Sequence, residues 1–300
     1  MRDSLHHLAL FFALTSILSA KLTDQQRLTI DGALSVKGTY TADEDTHRAA
    51  FPRTDLKVTI EGRQASPFLG FASWAAFTSG QKGVMVMGDM VLLEDEVSPA
   101  MTAALDNGLE VTALHNHFFY EKPRVMYMHI SGHGEPGKLA AAVRKVLDAV
   151  KQVRSSAPEA SSQFPGGAVP AENAITPAPL DAIFDVKGET NNGMYKATIG
   201  RSAQHHGSSI GKLMGVNTWA AFAGTDDMAS VDGDFAMVAD ELQGVLRSLR
   251  QSGIHIVAIH NHMTHEQPQY VFLHYWGKGK AAELAKAVRA AMETQKKGGR

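Results

Sequence analysis

Cysteine is absent from the 300-residue chain. The protein therefore has no disulfide bond, no zinc site built from thiolates and no cysteine nucleophile. An excess of charge of one sign is also missing, because 29 Lys and Arg residues stand against 31 Asp and Glu residues and no basic tract occurs. Nucleic-acid binding depends on clustered cations that neutralise phosphates, so we expect no nucleic-acid partner.

The sequence has one apolar run near its N-terminus, and that run is short. Residues 8–20 are largely apolar, but this run is too short to span a bilayer comfortably. It follows Met1 and Arg2 and ends in Ser19-Ala20, a pattern typical of a secretory signal peptide over residues 1–20. A buried first helix is the alternative. Since no cysteine follows to carry a lipid, we expect an exported, periplasmic or extracellular protein without a stable membrane span after cleavage.

The sequence contains an internal duplication with an offset of 145 positions. The tetrapeptide that begins at Trp74 recurs at Trp219, and the tripeptide that begins at His115 recurs at His260. This period is longer than that of solenoid repeats, so it indicates a duplicated domain. We predict a first copy over residues 21–152, a linker rich in Ser, Ala, Pro and Gly over 153–179, and a second copy over 180–300. The tract 204–209 looks like an insertion in the second copy.

Each copy has the pattern of a mostly antiparallel sheet with two main helices. Alternation over residues 56–60 and the apolar run 84–93 predict strands, and Ser98-Pro99 predicts the start of a helix that ends at Gly108. Apolar residues at helical spacing predict a second helix over 139–150. The fold class is therefore α+β, with helices on one face of the sheet. We hypothesise that the copies pair about a pseudo-two-fold axis to form one continuous sheet.

Histidines concentrate in one hairpin of each copy. If the first hairpin turns near Lys122, His115 faces His129 with Cβ atoms about 5 Å apart. Imidazole nitrogens bind zinc at roughly 2.0–2.1 Å, a distance that such a pair can reach. We predict a divalent-metal site in each copy, most favourably for zinc, with these ligands: His115, His117 and His129 in the first copy, and His260, His262 and His274 in the second. Glu121 and Glu266, at the turns, are candidates for an oxygen ligand or a catalytic general base.

Each of these assignments has a structural alternative. His115 and His129 could be a cross-strand polar pair that common descent has kept in both copies. Asp89 and Asp234, each following a glycine in an apolar strand, could accept a hydrogen bond from a ligand histidine. They could equally accept hydrogen bonds from nearby backbone N–H groups.

Several motifs together resemble a known bacterial family. They are Gly88-Asp89, Glu96, the segment 113–117 and the segment 123–129. Across both copies the chain resembles the LppY/LpqO family, a domain of unknown function. This resemblance implies an exported bacterial protein, and it brings no established activity or catalytic residues.

Two functions remain open from the sequence. The first is a metal-dependent hydrolase, in which the cation polarises a substrate or activates water and Glu121 or Glu266 acts as base. The second is a non-catalytic binding protein that takes a small-molecule or cell-envelope ligand in a His-lined groove between the copies.

Overall fold

The computed structural model describes residues 21–295, so the expected signal peptide at 1–20 lies outside the described residues. The elements of the first copy are α1 (Asp24–Leu34), β1 (Thr39–Thr41), β2 (Thr46–Pro52), β3 (Thr59–Ile60), β4 (Arg63–Gln64), β5 (Ala72–Gly80), β6 (Gly83–Leu93), α2 (Glu94–Asp106), β7 (Glu110–His115), β8 (Glu121–Lys122), β9 (Val125–Gly134) and α3 (Pro136–Ser156). Those of the second are α4 (Pro177–Phe184), β10 (Glu189–Asn191), β11 (Met194–Gly200), β12 (Ala203–His205), β13 (Ser208–Ile210), a 3-10 helix (Lys212–Met214), β14 (Asn217–Gly224), β15 (Ala229–Met237), α5 (Ala239–Gln251), β16 (His255–His260), β17 (Val271–Gly279) and α6 (Ala281–Glu293). The predicted α+β class and mostly antiparallel pairing are confirmed.

One twelve-stranded antiparallel sheet runs through both copies, in the order β1-β2-β5-β6-β9-β7-β16-β17-β15-β14-β11-β10. The copies join where Leu114 of β7 pairs with Ile259 of β16, two residues at corresponding positions of the duplication. Both side chains are buried in the main core, so they point to the same face of the sheet. A pseudo-two-fold axis therefore passes through this pair, perpendicular to the sheet. The sheet is continuous, as hypothesised.

The helices supply one layer of the main core. Buried residues of all six helices join one core cluster with one face of the sheet. Each copy has three helices rather than the two main ones predicted. The additional helices, α1 and α4, open the copies, and α1 is fixed by a capping box between Thr23 and Gln26. Helix α2 begins at Glu94, earlier than the predicted Ser98, because the Glu96 side chain accepts a hydrogen bond from the backbone N–H of Leu93.

The opposite face of the sheet, called here the open face, is partly covered by one small lobe in each copy. The first lobe comprises residues 56–71 and 118–124, where β4, β3 and β8 form a small sheet. The second lobe comprises residues 203–216 and 263–270, with the hairpin of β12 and β13. Each lobe has a small core of its own against the sheet.

The structure of the lobes differs from the sequence-based predictions in two respects. The strand predicted over residues 56–60 is only Thr59–Ile60. The tract 204–209 is not an insertion, because the β12–β13 hairpin corresponds to the β3–β4 hairpin, and both turns carry a positive φ at their first residue, Glu61 or His206. The copies differ just before the hairpin, where the first copy has the longer connection, residues 53–58 against residues 201–202.

Between α3 and α4, residues 157–176 contain a single isolated bridge, from Ala174 to Thr225. Phe164 of this segment stacks against His255 at the start of β16, with ring centroids 4.4 Å apart. Within residues 21–295, no helix combines the length and apolar character needed to cross a membrane.

Candidate metal centre

The open face presents the candidate residues at the middle of the sheet. His129 of β9 lies opposite Asp89 of β6, and His274 of β17 lies opposite Asp234 of β15. Directly opposed residues of neighbouring strands share a face, so each aspartate and its histidine project together. The strands therefore place a carboxylate beside an imidazole in both copies.

The hairpin register differs from the prediction by two residues. His115 lies opposite Tyr127, and His129 lies opposite Ala113, because the hairpin is centred on residue 121 and not on Lys122. The predicted direct opposition of His115 and His129 is therefore wrong. The two side chains nevertheless meet as diagonal neighbours, with their Nε2 atoms 3.1 Å apart.

The second copy has the same register. His260 lies opposite Phe272 and His274 lies opposite Ala258, so the two histidines of the second copy are not directly opposed either. The rings of His260 and His274 still stack, with centroids 4.8 Å apart.

Asp234, His260 and His274 form a group that could hold a metal ion. Each offers one ligand atom, and these atoms lie within 4.8 Å of one another. The Nδ1 atom of His274 lies 3.2 Å from the carbonyl oxygen of Gly233, and that of His260 lies 3.4 Å from the carbonyl of Asn261. A carbonyl only accepts, so each Nδ1 carries the proton and each Nε2 keeps its lone pair.

Two atoms of this group are buried without a hydrogen-bond partner: His260 Nε2 and Asp234 Oδ1. Burying such atoms unpaired is costly. Burial also raises the pKa of Asp234 to about 6, against the opposing charges of His274 and His262, and burial lowers the pKa of His260. A cation at this position would give both atoms a partner and favour the ionised carboxylate.

The first copy has the corresponding residues in a looser arrangement. The Asp89 carboxyl is buried, its Oδ1 atom has no hydrogen-bond partner, and burial raises its pKa. His115 Nδ1 lies 3.4 Å from the carbonyl oxygen of Asn116, as in the second copy. Over residues 21–295, however, only the group of the second copy brings three ligand atoms within 4.8 Å.

His117 and His262 follow the strands and occupy a different place. Each stacks on the aromatic residue of the partner strand, with centroids 3.3 Å apart for His117 and Tyr127 and 3.5 Å for His262 and Phe272. His262 also approaches the carboxylate, its Nε2 lying 3.2 Å from Asp234 Oδ2, while its Nδ1 faces the carbonyl of Gly215 at 3.3 Å. The contact between His262 and Asp234 therefore requires a shared proton, and His262 can orient the carboxylate.

The two glutamates lie inside the lobes, and neither belongs to the group of three. Glu266 is buried, and its Oε1 accepts a hydrogen bond of 2.8 Å from the backbone N–H of Tyr270. Glu121, also buried, is a residue of β8, and its Oε1 lies 3.9 Å from Arg124 Nε. One oxygen of each carboxyl group has no hydrogen-bond partner.

A cation stacked on tryptophan borders each site on its outer side. Trp74 lies opposite Asp89 and carries the Arg48 guanidinium 3.9 Å above its ring. Trp219 lies opposite Asp234 and carries the Lys196 ammonium 4.3 Å above its ring. The sequence reasoning missed these cations, since they lie on strands whose register was not known.

The two sites adjoin at the pseudo-two-fold axis. If the antiparallel pairing of Leu114 with Ile259 is continued, His115 lies beside Ala258, and Ala258 lies opposite His274. In the same way His260 lies beside Ala113, and Ala113 lies opposite His129. Strands in a sheet are about 4.8 Å apart, so the two His pairs are centred about 10 Å apart, over a floor of two alanines.

Two solved structures are similar to this chain. One is a trimeric bacterial microcompartment shell protein, PduB, at 14% identity and a TM-score of 0.22, covering 86% of this chain and 89% of the other. The other is the ethanolamine utilization protein EutL from Leptotrichia buccalis C-1013-b, at 10% identity and a TM-score of 0.21, covering 83% and 90%. TM-scores this low support no argument about fold or function. No curated protein matches the chain.

A family model matches residues 28–149 and again residues 178–294, which confirms the duplication. The two matches together cover most of the chain, and the description of the family is Domain of Unknown Function (DUF1259). The chain belongs to this family and contains two copies of its domain.

Proposed function

We propose that the protein binds a divalent metal ion, most favourably zinc, through Asp234, His260 and His274. The observation that carries the proposal is the convergence of two imidazole nitrogens and a carboxylate oxygen within 4.8 Å, with His260 Nε2 and Asp234 Oδ1 buried and unpaired. Two imidazoles and one carboxylate suit zinc, and three protein ligands leave a coordination position open. Asp89, His115 and His129 form the weaker site of the first copy.

The open position favours chemistry over a purely structural ion. A zinc ion bound there supplies Lewis acidity and an acidified water molecule. Around it, His262 holds the Asp234 carboxylate, and Lys196 offers a positive charge to an anionic substrate. We therefore propose an exported, metal-dependent hydrolase of the LppY/LpqO type, with Glu121 or Glu266 as the general base.

A second candidate is a non-catalytic binding protein for a small-molecule or cell-envelope ligand. It is favoured by the two cation–tryptophan pairs that border the central His pairs, because they offer charge and a flat apolar surface at both ends of one groove.

Metal content tests the first step. Purified protein, stripped with chelator and reloaded with zinc, should retain about one tightly bound ion per chain by elemental analysis. His260→Ala, His274→Ala and Asp234→Asn should each lose it, whereas His133→Ala, at an exposed histidine outside the site, should retain it. Equal zinc retention in all variants, or none in the wild type, would overturn the metal proposal.

Hydrolysis of generic ester, phosphate and peptide substrates then separates the two functions. An enzyme should lose activity with chelator, regain it with zinc and lose it again in His274→Ala. A protein that retains zinc but turns over none of these substrates is assigned to the binding function.

A further inference from the structure

Each lobe exposes a pair of large apolar side chains at its tip. Phe68 is 100% exposed and is followed by Leu69, and Leu213 is 97% exposed and is followed by Met214. The two pairs occupy corresponding positions, 145 residues apart, although the residue type differs at each position. Large apolar side chains in contact with water at matching places of both copies indicate a surface that is covered in use.

The two tips lie on the same side of the molecule. Both lobes pack on the open face, because their cores include Val91 and Tyr127 in the first copy and Ala236 and Phe272 in the second. The pseudo-two-fold axis is perpendicular to the sheet, so it carries one lobe onto the other without changing the face. Both exposed pairs therefore belong to lobes that cover the face opposite the helices.

The first lobe is basic, although the whole chain has a net charge of −2. The first lobe has four exposed cationic side chains: Lys57, Arg63, Lys122 and Arg124. Against them stand exposed Glu61 and buried Glu121. The second lobe has exposed Lys212 beside its apolar tip, and its sole carboxylate side chain is that of buried Glu266.

Aromatic residues extend the apolar tip of the first lobe. Phe119 and Tyr120 are largely exposed and directly precede Glu121-Lys122. Exposed aromatic and aliphatic side chains next to Lys and Arg are the composition of surfaces that insert shallowly among lipid headgroups. Anionic lipids attract such cations at short range.

We infer that the two lobes dock the protein on the surface of an anionic lipid membrane, with Phe68 and Leu213 inserted at the headgroup level. The inference rests on the exposure of the two apolar pairs, on the common face of their lobes, and on the cations of the first lobe with Lys212 of the second. It does not depend on a metal ion. It goes beyond the proposed function in naming a surface on which the protein acts.

The absence of cysteine allows a local test in the full chain. Phe68→Cys and Leu213→Cys each create a unique thiol for an environment-sensitive fluorophore, and Leu28→Cys, at a 64% exposed position of α1 on the helix side, is the matched control. With vesicles of phosphatidylglycerol, the probes at 68 and 213 should shift to the blue and brighten, while the probe at 28 should not. Vesicles of phosphatidylcholine should give little change, and added salt should weaken the response.

Vesicle flotation of unlabelled protein gives the second measurement. Phe68→Ser and Leu213→Ser should each lower binding to phosphatidylglycerol vesicles by about tenfold, as expected for losing one inserted side chain, and Leu28→Ser should bind like the wild type. Residues 1–20 are common to all variants, so differences among them report the lobes.

Three results would overturn the inference. The first is an unchanged probe at both tips, and the second is flotation that both serine substitutions leave intact. The third is a concentration-dependent dimer that the two serine substitutions abolish, which would assign the tips to a second copy of the chain. A loss of zinc in His260→Ala with unchanged vesicle binding would leave the docking inference standing by itself.

Discussion

At the scale of single residues, the duplication supplies natural comparisons. Tyr127 and Phe272 occupy corresponding positions opposite His115 and His260. The Tyr127 hydroxyl is buried without a hydrogen-bond partner, and burial, together with the charges of Asp89 and Glu121, raises the pKa of Tyr127. The phenylalanine of the second copy avoids that unpaired group.

We expect Tyr127→Phe to raise the free energy of unfolding by about 1 kcal/mol, because it removes a buried hydroxyl that has no partner. The reverse change, Phe272→Tyr, should lower it by about 1–3 kcal/mol. Urea denaturation of both variants measures the two effects. A clear destabilisation by Tyr127→Phe would instead show that the hydroxyl bonds to a bound water or ligand in solution.

The sequence identified the histidines but not how they would be arranged. Their clustering and the 145-residue offset indicated a site, since chemistry-bearing residues recur at fixed positions. The pairing depends on where the hairpin turns, which the sequence of the long connection between β7 and β9 does not fix. The hairpin is centred one residue before Lys122, and this made the predicted opposition of His115 and His129 wrong by two residues. Asp234 was predicted only as an acceptor, because its distance from His260 depends on the register of three strands.

At the scale of elements, a buried ion cluster ties the segment just before each lobe to the start of a helix. Glu96, fully buried in the first turn of α2, accepts hydrogen bonds of 2.7 and 2.9 Å from Arg53 and faces Arg154 Nε at 2.8 Å. Glu241 in α5 pairs with one guanidinium, that of Arg201, at 2.5 Å, and with the Gln295 amide at 3.1 Å. The first cluster therefore contains one more buried positive charge than the second.

Glu96→Gln should lower the free energy of unfolding by about 3–5 kcal/mol, because it removes a fully buried carboxylate that two guanidinium groups share and leaves Arg53 with Asp55 and Arg154 with Asp95. Glu241→Gln should cost less, about 2 kcal/mol, since one guanidinium is affected. Thermal denaturation followed by circular dichroism measures both. Asp148→Asn, which breaks a half-exposed pair with Arg144, is the control and should change stability by less than about 0.5 kcal/mol. Equal costs in the two copies would contradict this account of the clusters.

Most strands and helices of the central sheet and its helix layer could be predicted from the spacing of apolar residues. The elements that differ from the prediction do so for physical reasons. The long strand β6 and the closing helix α3 carry strong apolar patterns over many residues, and both are present. The helix α2 begins four residues before Ser98 because the buried Glu96 fixes its first turn, which depends on the distant Arg53. The lobes are built from strands of two or three residues, too short for alternation to reveal.

At the scale of the whole molecule, the copies share one core and a polar seam. His255 at the start of β16 bonds through Nδ1 to the Ser98 hydroxyl of the other copy at 2.8 Å. Burial, with the charges of Arg250 and Lys278, lowers the pKa of His255 to about 4. Protonation of this ring is therefore disfavoured in the folded protein.

The sign of the pH effect follows from that pKa. Because the folded value of His255 lies below the ordinary value of 6.5, the unfolded chain takes up the proton first and stability falls as the pH drops from 6.5 towards 4. The shift corresponds to about 3 kcal/mol, and partial exposure reduces the expected loss to about 2 kcal/mol. In urea denaturation across this range, His255→Gln should show a flatter dependence than the wild type. An identical slope would contradict the role of His255.

One glutamine side chain joins β7 to the second copy. Gln243 of α5 hydrogen-bonds the backbone of buried Val111, accepting from its N–H at 3.1 Å and donating to its carbonyl at 2.8 Å. Gln243→Ala removes both hydrogen bonds and should lower the free energy of unfolding by about 2–4 kcal/mol, because two buried backbone groups lose their partner.

Since the core is continuous across the copies, calorimetry should still record one transition, shifted to lower temperature. Hydrogen exchange at the Val111 amide should accelerate, whereas Gln251→Ala, at the exposed end of the same helix, should leave it protected. Two separate transitions in the wild type, or an unchanged Val111 amide in Gln243→Ala, would mean that the copies fold independently and that this side chain does not join them.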